Sequence, residues 1–179
     1  AALMVIAACG GGGSDGSNAT APSGTTKNEP SLQLSGTAAT GAALANARVS
    51  VKCASGNGTA TTSSNGAYTL TMTGGALPCI INVSGTQDGV EVSLHSVAEA
   101  GSTDSASNTT TAAANVTPLT EMIVAKLSAG LPSDLFAAFS SANSGQVTTA
   151  QLSAATNAVL TAIKAAIGVG LGTIDPFKA

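Results

Sequence analysis

The sequence predicts a mainly β protein with added α-helix, in which a flexible N-terminal tether precedes a small β-sandwich and a short helical unit. Three patterns predict this order. Gly, Ser, Asn, Thr and Pro fill residues 10–30 without apolar periodicity, apolar and polar residues alternate from Leu32 to about Leu94, and helical spacing follows Thr117. Alternation is typical of a half-buried strand, whereas spacings of three and four residues are typical of an amphipathic helix.

The composition limits both the core and the possible partners. Hydrophobic residues make up 44% of the 179 residues, but aromatic residues only 2% and charged residues only 8%. The apolar area per residue is therefore low, and Ser, Thr, Asn and Gly dominate the surface. The net charge is -3 and no run of Lys or Arg occurs. Because binding to nucleic acid needs clustered positive charge, we expect no nucleic-acid partner.

The first nine residues resemble the end of a bacterial lipoprotein signal peptide. Ala1–Ala8 is an apolar run that is too short to span a bilayer, which needs about 20 residues, and Ile6-Ala7-Ala8-Cys9 resembles a lipobox. The resemblance implies that residues 1–8 are the remnant of a signal peptide and that Cys9 carries the lipid. Each buried acyl CH₂ would contribute about 0.8 kcal/mol to anchoring. The alternatives are a buried cysteine that ends a core strand and a free thiol in an unprocessed chain.

The glycines of residues 10–13 disfavour the core strand, since a strand would not continue through them, whereas an anchored domain needs a flexible lead. We therefore expect residues 9–30 to be a lipidated cysteine and its tether. The membrane is then a partner through Cys9, and the expected location is the bacterial cell envelope, anchored at the outer membrane on its periplasmic or surface face.

The alternating segments of residues 31–95 predict a β-sandwich, because short strands at regular spacing are typical of that architecture. Turn signals at Asn65-Gly66 and Gln87-Asp88-Gly89 separate the segments, and each predicts a hairpin. The residues expected to face inward are Leu32, Leu34, Val49, Val51, Cys53, Tyr68, Leu70, Met72, Cys79, Ile81, Val83, Val90, Val92 and Leu94. His95 is out of phase with Leu94, which predicts that it faces solvent.

Two cysteines share the inward phase of their strands. Cys53 and Cys79 therefore predict a disulfide across the core, which an exported compartment would permit. Closing this loop would stabilise the fold by about 3 to 4 kcal/mol in the chain-entropy model. The alternative is a pair of reduced, buried thiols.

The strand region is similar to the carboxypeptidase-regulatory-like, transthyretin-like β-sandwich, an Ig-like fold. The similarity lies in Leu34-Ser35-Gly36, the small-residue loop and alternating strand of Gly41–Val51, and the Thr-rich approach through Thr61–Thr69 to Leu70. It covers about residues 32 to 94. It implies a non-catalytic module that serves as a spacer or binding domain on bacterial surface proteins.

Residues 96–115 lack periodicity and predict a linker, and residues 116–170 predict a helical unit. Thr117 and Ser133 are expected N-caps, and Thr148 with Gln151 is an expected capping box. Residues 171–179 predict an exit segment that is truncated. The expected apolar stripes are Leu119, Met122, Ile123 and Leu127, then Leu135, Phe136 and Phe139, then Leu152, Ala155, Val159, Leu160, Ile163 and Ile167.

Residues that could carry chemistry are few. His95 is the only histidine, and the nearest acidic pair, Asp88 and Glu91, flanks a predicted turn. Gly168–Gly172 follows a helix, which is the wrong context for a nucleotide loop. We expect no catalytic residue, cofactor or metal, and a non-enzymatic membrane-anchored lipoprotein that presents a binding or scaffold module to an unknown protein or glycan. Two alternatives stay open, namely a glycan-binding adhesin and the N-terminal accessory part of a longer surface enzyme.

Overall fold

The structure is a computed structural model that describes residues 29–168 and 175–178. The described residues form eight strands and three helices. The strands are β1 (Ser31–Thr37), β2 (Arg48–Ser55), β3 (Asn57–Thr61), β4 (Ala67–Thr73), β5 (Ala76–Gln87), β6 (Val90–Ala98), β7 (Ser102–Asp104) and β8 (Thr109–Ala113). The helices are α1 (Pro118–Ser128), α2 (Pro132–Ala138) and α3 (Thr149–Ile167), and a short 3-10 turn (Ser144–Gln146) precedes α3.

Two four-stranded sheets face each other. Sheet I has the order β4-β1-β8-β7 and sheet II has the order β3-β2-β5-β6. Neighbouring strands are antiparallel, except that β1 and β8 run parallel. Leu32 and Leu34 of sheet I pack with Val51 and Ile81 of sheet II in the main core. The predicted combination of a sandwich of sheets with helices is confirmed at this level.

The helices cover the outer face of sheet II. Ile80 and Val97 point away from the main core and form a second core with the helices. The other buried members of this second core are Ile123, Val124, Phe139, Val147, Leu152, Ala155 and Phe177. The helices pack on one another, as expected, and also on the sheet, so sheet II is the middle of three layers.

The prediction of a linker at residues 96–115 is wrong. Strand β6 continues to Ala98, and β7 and β8 follow within the same segment. β8 is the parallel partner of β1, and its Ala112 lies in the main core. The sequence pattern did not predict this strand because its inward residue is a small alanine, and no large apolar residue marks the inward face.

The turn at Asn65-Gly66 joins the two sheets. It connects β3 of sheet II to β4 of sheet I, so the predicted hairpin is wrong although the turn exists. Gly66 has a φ of 78°, and a Cβ there would lie 2.5 Å from the carbonyl oxygen of Ala38. The hairpin predicted at Gln87-Asp88-Gly89 is confirmed, because Gln87 of β5 pairs with Val90 of β6.

The predicted helix starts are mostly confirmed. Thr117 caps α1, and Thr148 forms a capping box with Gln151 at the start of α3. The predicted cap at Ser133 is wrong, because α2 begins at Pro132 with Leu131 as its N-cap. Proline suits the first helical position because its missing N–H would have no partner there.

The apolar stripe predicted for α1 is wrong at one position. Met122 is 45% exposed, whereas Ile123, Val124 and Thr120 are buried. Thr120 can be buried because its hydroxyl donates to the carbonyl oxygen of His95 and accepts from the backbone N–H of Thr117. At the far end of α3, Ile167 is 60% exposed and does not belong to the core.

The Cys53–Cys79 disulfide is present, and both cysteines are buried. The prediction that it crosses the core is wrong, because β2 and β5 are neighbours within sheet II and the two residues pair directly in the register. Inward phase identifies residues that share a face, but it does not say whether that face belongs to one sheet or to two.

Removal of the disulfide should destabilise the fold. The cysteines are 26 residues apart, and the loop-entropy model gives a loss of about 3.5 kcal/mol for a loop of this length. We expect Cys53→Ala/Cys79→Ala to lower the urea midpoint and to raise the slope, because the unfolded chain without the cross-link is less compact. The wild-type protein treated with reductant is the control and should lose a comparable amount, and equal midpoints for all three samples would contradict this role.

Tyr68 gives the main core a pH dependence. Its side chain is buried, and its hydroxyl donates to the carbonyl oxygen of Ala114 across to the end of β8. Burial raises the pKa of Tyr68 far above its usual value of 10.0. As the pH rises, the tyrosine of the unfolded chain therefore ionises before that of the folded protein. The stabilisation that comes from the neutral Tyr68 is fully present below pH 10 and is lost as the pH rises from there through the raised pKa.

Above pH 10, the free energy of unfolding should consequently fall by up to about 1.4 kcal/mol per pH unit from Tyr68 alone. Urea titrations of wild type and Tyr68→Phe at several pH values measure this. The phenylalanine variant should be less stable near neutral pH by about 1 to 3 kcal/mol, because the Ala114 carbonyl loses its donor. It should lack the Tyr68 part of the alkaline loss, and parallel pH profiles would contradict this assignment.

Candidate functional site

His95 is buried, with only 4% of its surface exposed, so its predicted place on a solvent face is wrong. The reason is that β6 changes environment along its length. Its first four residues are largely exposed, whereas the last five are buried because α1 covers the strand there. Alternation of phase predicts the two faces of a strand but not a second layer over one of them.

The ring of His95 has polar partners at both nitrogens. Nδ1 lies 3.0 Å from Oε2 of Glu121, and Nε2 lies 3.0 Å from Nδ2 of Asn82. The same Asn82 amide donates to Ser93 Oγ at 2.8 Å and lies 3.5 Å from the carbonyl oxygen of Leu94. A carbonyl can only accept, so the amide nitrogen faces β6, and Nε2 is then the acceptor while Nδ1–H donates to the Glu121 carboxylate.

Helix α1 also bonds to the backbone of β6 at His95. The backbone N–H of His95 donates to the Glu121 carboxylate, and the Thr120 hydroxyl donates to the carbonyl oxygen of His95 at 2.9 Å. These two side chains take the place of a neighbouring strand at the sheet edge. Glu121 also lies in the first turn of α1, where a negative charge is favoured by the helix dipole.

Helix α2 is fastened to the same face of sheet II. Lys52 Nζ donates to the carbonyl oxygen of Ala137 at 2.8 Å and lies 5.1 Å from the centre of the Phe136 ring. The Phe136 ring is in turn 6.0 Å from the His95 ring. The cluster therefore joins sheet to helices, and neither nitrogen of His95 is open to a substrate.

A groove of about 470 Å³ separates the first turns of α3 from the end of β6 and from residues 175–178. Phe177 anchors this last segment, since its side chain is buried and its carbonyl oxygen accepts from the Asn115 N–H at 2.7 Å. The charges in the groove have local partners: Thr149 donates to Glu99, and Lys178 lies 3.6 Å from Asp175. The groove therefore offers hydroxyl and amide groups, and Glu99 gives it one negative charge without a cationic partner.

Comparison of the chain with protein-family models, curated proteins and solved structures found no match. Among residues 29–168 and 175–178, no three His, Cys, Asp or Glu side chains lie together in a way that could hold a metal ion. No helix in this part of the chain is long and apolar enough to cross a membrane.

The predicted site residues have different outcomes. Cys53 and Cys79 are joined, whereas Cys9 lies outside the described residues. Gly168 ends α3 in a left-handed conformation, and the rest of the Gly168–Gly172 segment lies outside the described residues. The roles of Asn82, Thr120 and Glu121 were not predicted. The helix start after Thr117 was a local signal for Thr120 and Glu121, and no local signal pointed to Asn82.

The Glu121 carboxylate should be needed to hold α1 on the sheet. In Glu121→Ala, the N–H and Nδ1–H groups of His95 lose their acceptor, which costs about 1 to 3 kcal/mol. Glu121→Gln keeps an acceptor oxygen and should lose less. Chemical denaturation measures the stability of both variants. Glu91→Ala is the control at an exposed glutamate and should change the stability little. A Glu121→Gln variant that is less stable than Glu121→Ala would contradict this role.

Proposed function

We propose that this protein is a non-enzymatic exported lipoprotein, anchored in the bacterial envelope through Cys9, whose folded part serves as a binding or scaffold module. The observation that carries the proposal is the buried Cys53–Cys79 disulfide. Structural disulfides form and persist in oxidising, exported compartments. The chain has three cysteines, so the disulfide leaves Cys9 as the one thiol for lipid attachment.

We further propose an Ig-like, transthyretin-like type for the sandwich, which the strand order supports. The pairing of β1 with β4 and the order β3-β2-β5-β6 correspond to strands B and E and to strands C′, C, F and G of an Ig-like domain. Two features depart from that pattern. β8 lies parallel beside β1, and the disulfide joins neighbouring strands of one sheet where antibody domains bridge two.

A binding role is favoured over catalysis by the state of the one histidine. His95 is buried, and both of its ring nitrogens are engaged by Glu121 and Asn82. General acid–base catalysis needs a group within hydrogen-bond reach of the substrate. A catalytic reaction would therefore have to use the chain's other titratable side chains, without an accessible imidazole.

The aromatic side chains weigh against the glycan-binding alternative, because sugar rings are bound largely by stacking on exposed aromatic faces. Tyr68, Phe139 and Phe177 are buried, and Lys52 lies over the ring of Phe136. These are all the aromatic residues of the chain. A protein or peptide partner is therefore favoured.

Lipid labelling tests the anchor. The chain is expressed in a Gram-negative host behind the start and basic segment of a lipoprotein leader, so that residues 1–8 complete a signal peptide. With an alkyne fatty acid in the medium, the wild type should carry label and sediment with membranes, because acyl chains partition into the bilayer. Cys9→Ser should lose both properties.

Cys53→Ala/Cys79→Ala is the control, because it removes the other two thiols and should keep the label and the membrane association at Cys9. An inhibitor of the lipoprotein signal peptidase should leave the precursor uncleaved. Membrane association and labelling that persist in Cys9→Ser would overturn the proposal.

A further inference from the structure

The first residues of β6 form an edge that the fold leaves open. We propose that this edge, Val90–Ser93, binds an extended partner segment with alternating apolar and basic residues, which adds to sheet II as a further strand. The inference rests on the proposed function as a binding module, and it identifies the surface and the kind of partner. Addition of a strand to a free sheet edge is a recurring mode of peptide recognition.

The register shows which backbone groups are open. Gln87 and Val90 flank a two-residue turn, so Val90, Val92 and Leu94 bond to β5 while the alternate residues direct their backbone groups away from it. His95 belongs to the outward set, and its N–H and carbonyl are bonded to Glu121 and Thr120. Within residues 29–168 and 175–178, no such partner is found for the backbone N–H of Glu91 or Ser93. Half of the edge is therefore closed by α1, and half is open.

An apolar strip accompanies the open edge. Val90 and Val92 share the inward phase of Leu94, but Val90 is 65% exposed and Val92 is half-buried. β7, the edge strand of sheet I, pairs only with Thr109–Thr111 near the opposite end of the sandwich and does not reach them. An added strand with an apolar side chain on this face would cover Val92 and extend the main core.

The charge at this edge is acidic. Asp88 lies in the hairpin turn, Glu91 is the first outward residue of β6, and β6 contains no Lys or Arg. Glu91 faces the side of the sheet opposite to Val90 and Val92. A partner strand would therefore place basic side chains opposite Glu91 and apolar ones beside Val92, since oppositely charged cross-strand pairs are favourable.

The β5–β6 hairpin, which contains the open edge, is held in place by contacts with the loop between β1 and β2. Thr40, in the loop between β1 and β2, donates a hydrogen bond to the side chain of Gln87. Gly85 lets the same loop approach, because a Cβ there would lie 2.7 Å from the Cβ of Ala47. An edge that is already ordered loses little conformational freedom when a partner binds.

The open edge and the start of β1 lie at opposite ends of the sandwich. The chain enters β1 at Ser31, whose N–H donates to the carbonyl oxygen of Asn108 at the opposite end of the sandwich from Val90.

A titration with synthetic peptides tests the proposal. The probe is the capped heptapeptide Thr-Lys-Val-Lys-Val-Lys-Thr, and the control peptide has Glu in place of each Lys. Added to the full chain in solution, the Lys peptide should slow hydrogen exchange at the amides of Glu91 and Ser93 and leave the amide of His95 unchanged. The Glu peptide should bind at least about fivefold more weakly, which is the scale of one good cross-strand charge pair.

Matched variants of β6 locate the binding. Ser93→Pro removes the outward N–H and should abolish binding, whereas Ser93→Ala keeps it and should bind like wild type. Glu91→Lys, an exposed change that leaves the edge intact, should reverse the preference between the two peptides. Absence of binding, equal binding of both peptides, or binding that survives Ser93→Pro would overturn the proposal.

A dimer that forms with increasing concentration and is lost in Ser93→Pro would also overturn it, because it would assign the edge to a second copy of the chain. The titration uses no membrane, so its failure is distinguishable from loss of the lipid label in the fractionation experiment.

Discussion

Strand β5 is buried on both of its faces, and the other elements are arranged around that constraint. Cys79, Ile81 and Val83 face sheet I, while Ile80 faces the helices. A strand with apolar side chains on both faces needs a covering layer on each side, because exposed apolar area costs about 25 cal/mol per Å². Sheet I supplies one layer, and α1 to α3 supply the other.

The scarcity of aromatic residues explains how these layers are held together. Aliphatic and alanine side chains bury less area per residue than aromatic ones. Close packing of the layers and specific bonds between them therefore contribute a larger part of the stability. The Cys53–Cys79 disulfide fixes β2 against β5. Glu121 and Thr120 fix α1 against β6, and Lys52 fixes α2 against sheet II.

Much of this fold could be predicted from sequence, namely the parts in which the pattern within one element decides which of its residues face inward. The alternating strands, the cap at Thr117 and the in-phase cysteines were predicted in this way, because each depends on residues within one element. β8 was missed because its inward residue is an alanine. His95 was misplaced because a second layer covers β6, and the pairing of His95 with Glu121 joins residues 26 positions apart that no local pattern relates.

β6 is divided into a covered half and an open half. Where α1 covers the strand, polar groups are paired and buried, and the single histidine serves to join layers. Where α1 does not reach, the strand is open, acidic and ordered, which suits contact with another chain. In the proposed lipoprotein, a body of this kind would present a rigid edge to a partner.

Native-state hydrogen exchange tests most directly whether the helices and the sandwich are one cooperative body. If the outer face of β5 holds them together, the slowest amides of α1, of β5 and of the buried half of β6 should exchange with the same free energy and the same dependence on denaturant. Exchange of α1 and α3 through a smaller opening that leaves β5 and β6 protected would contradict the three-layer account.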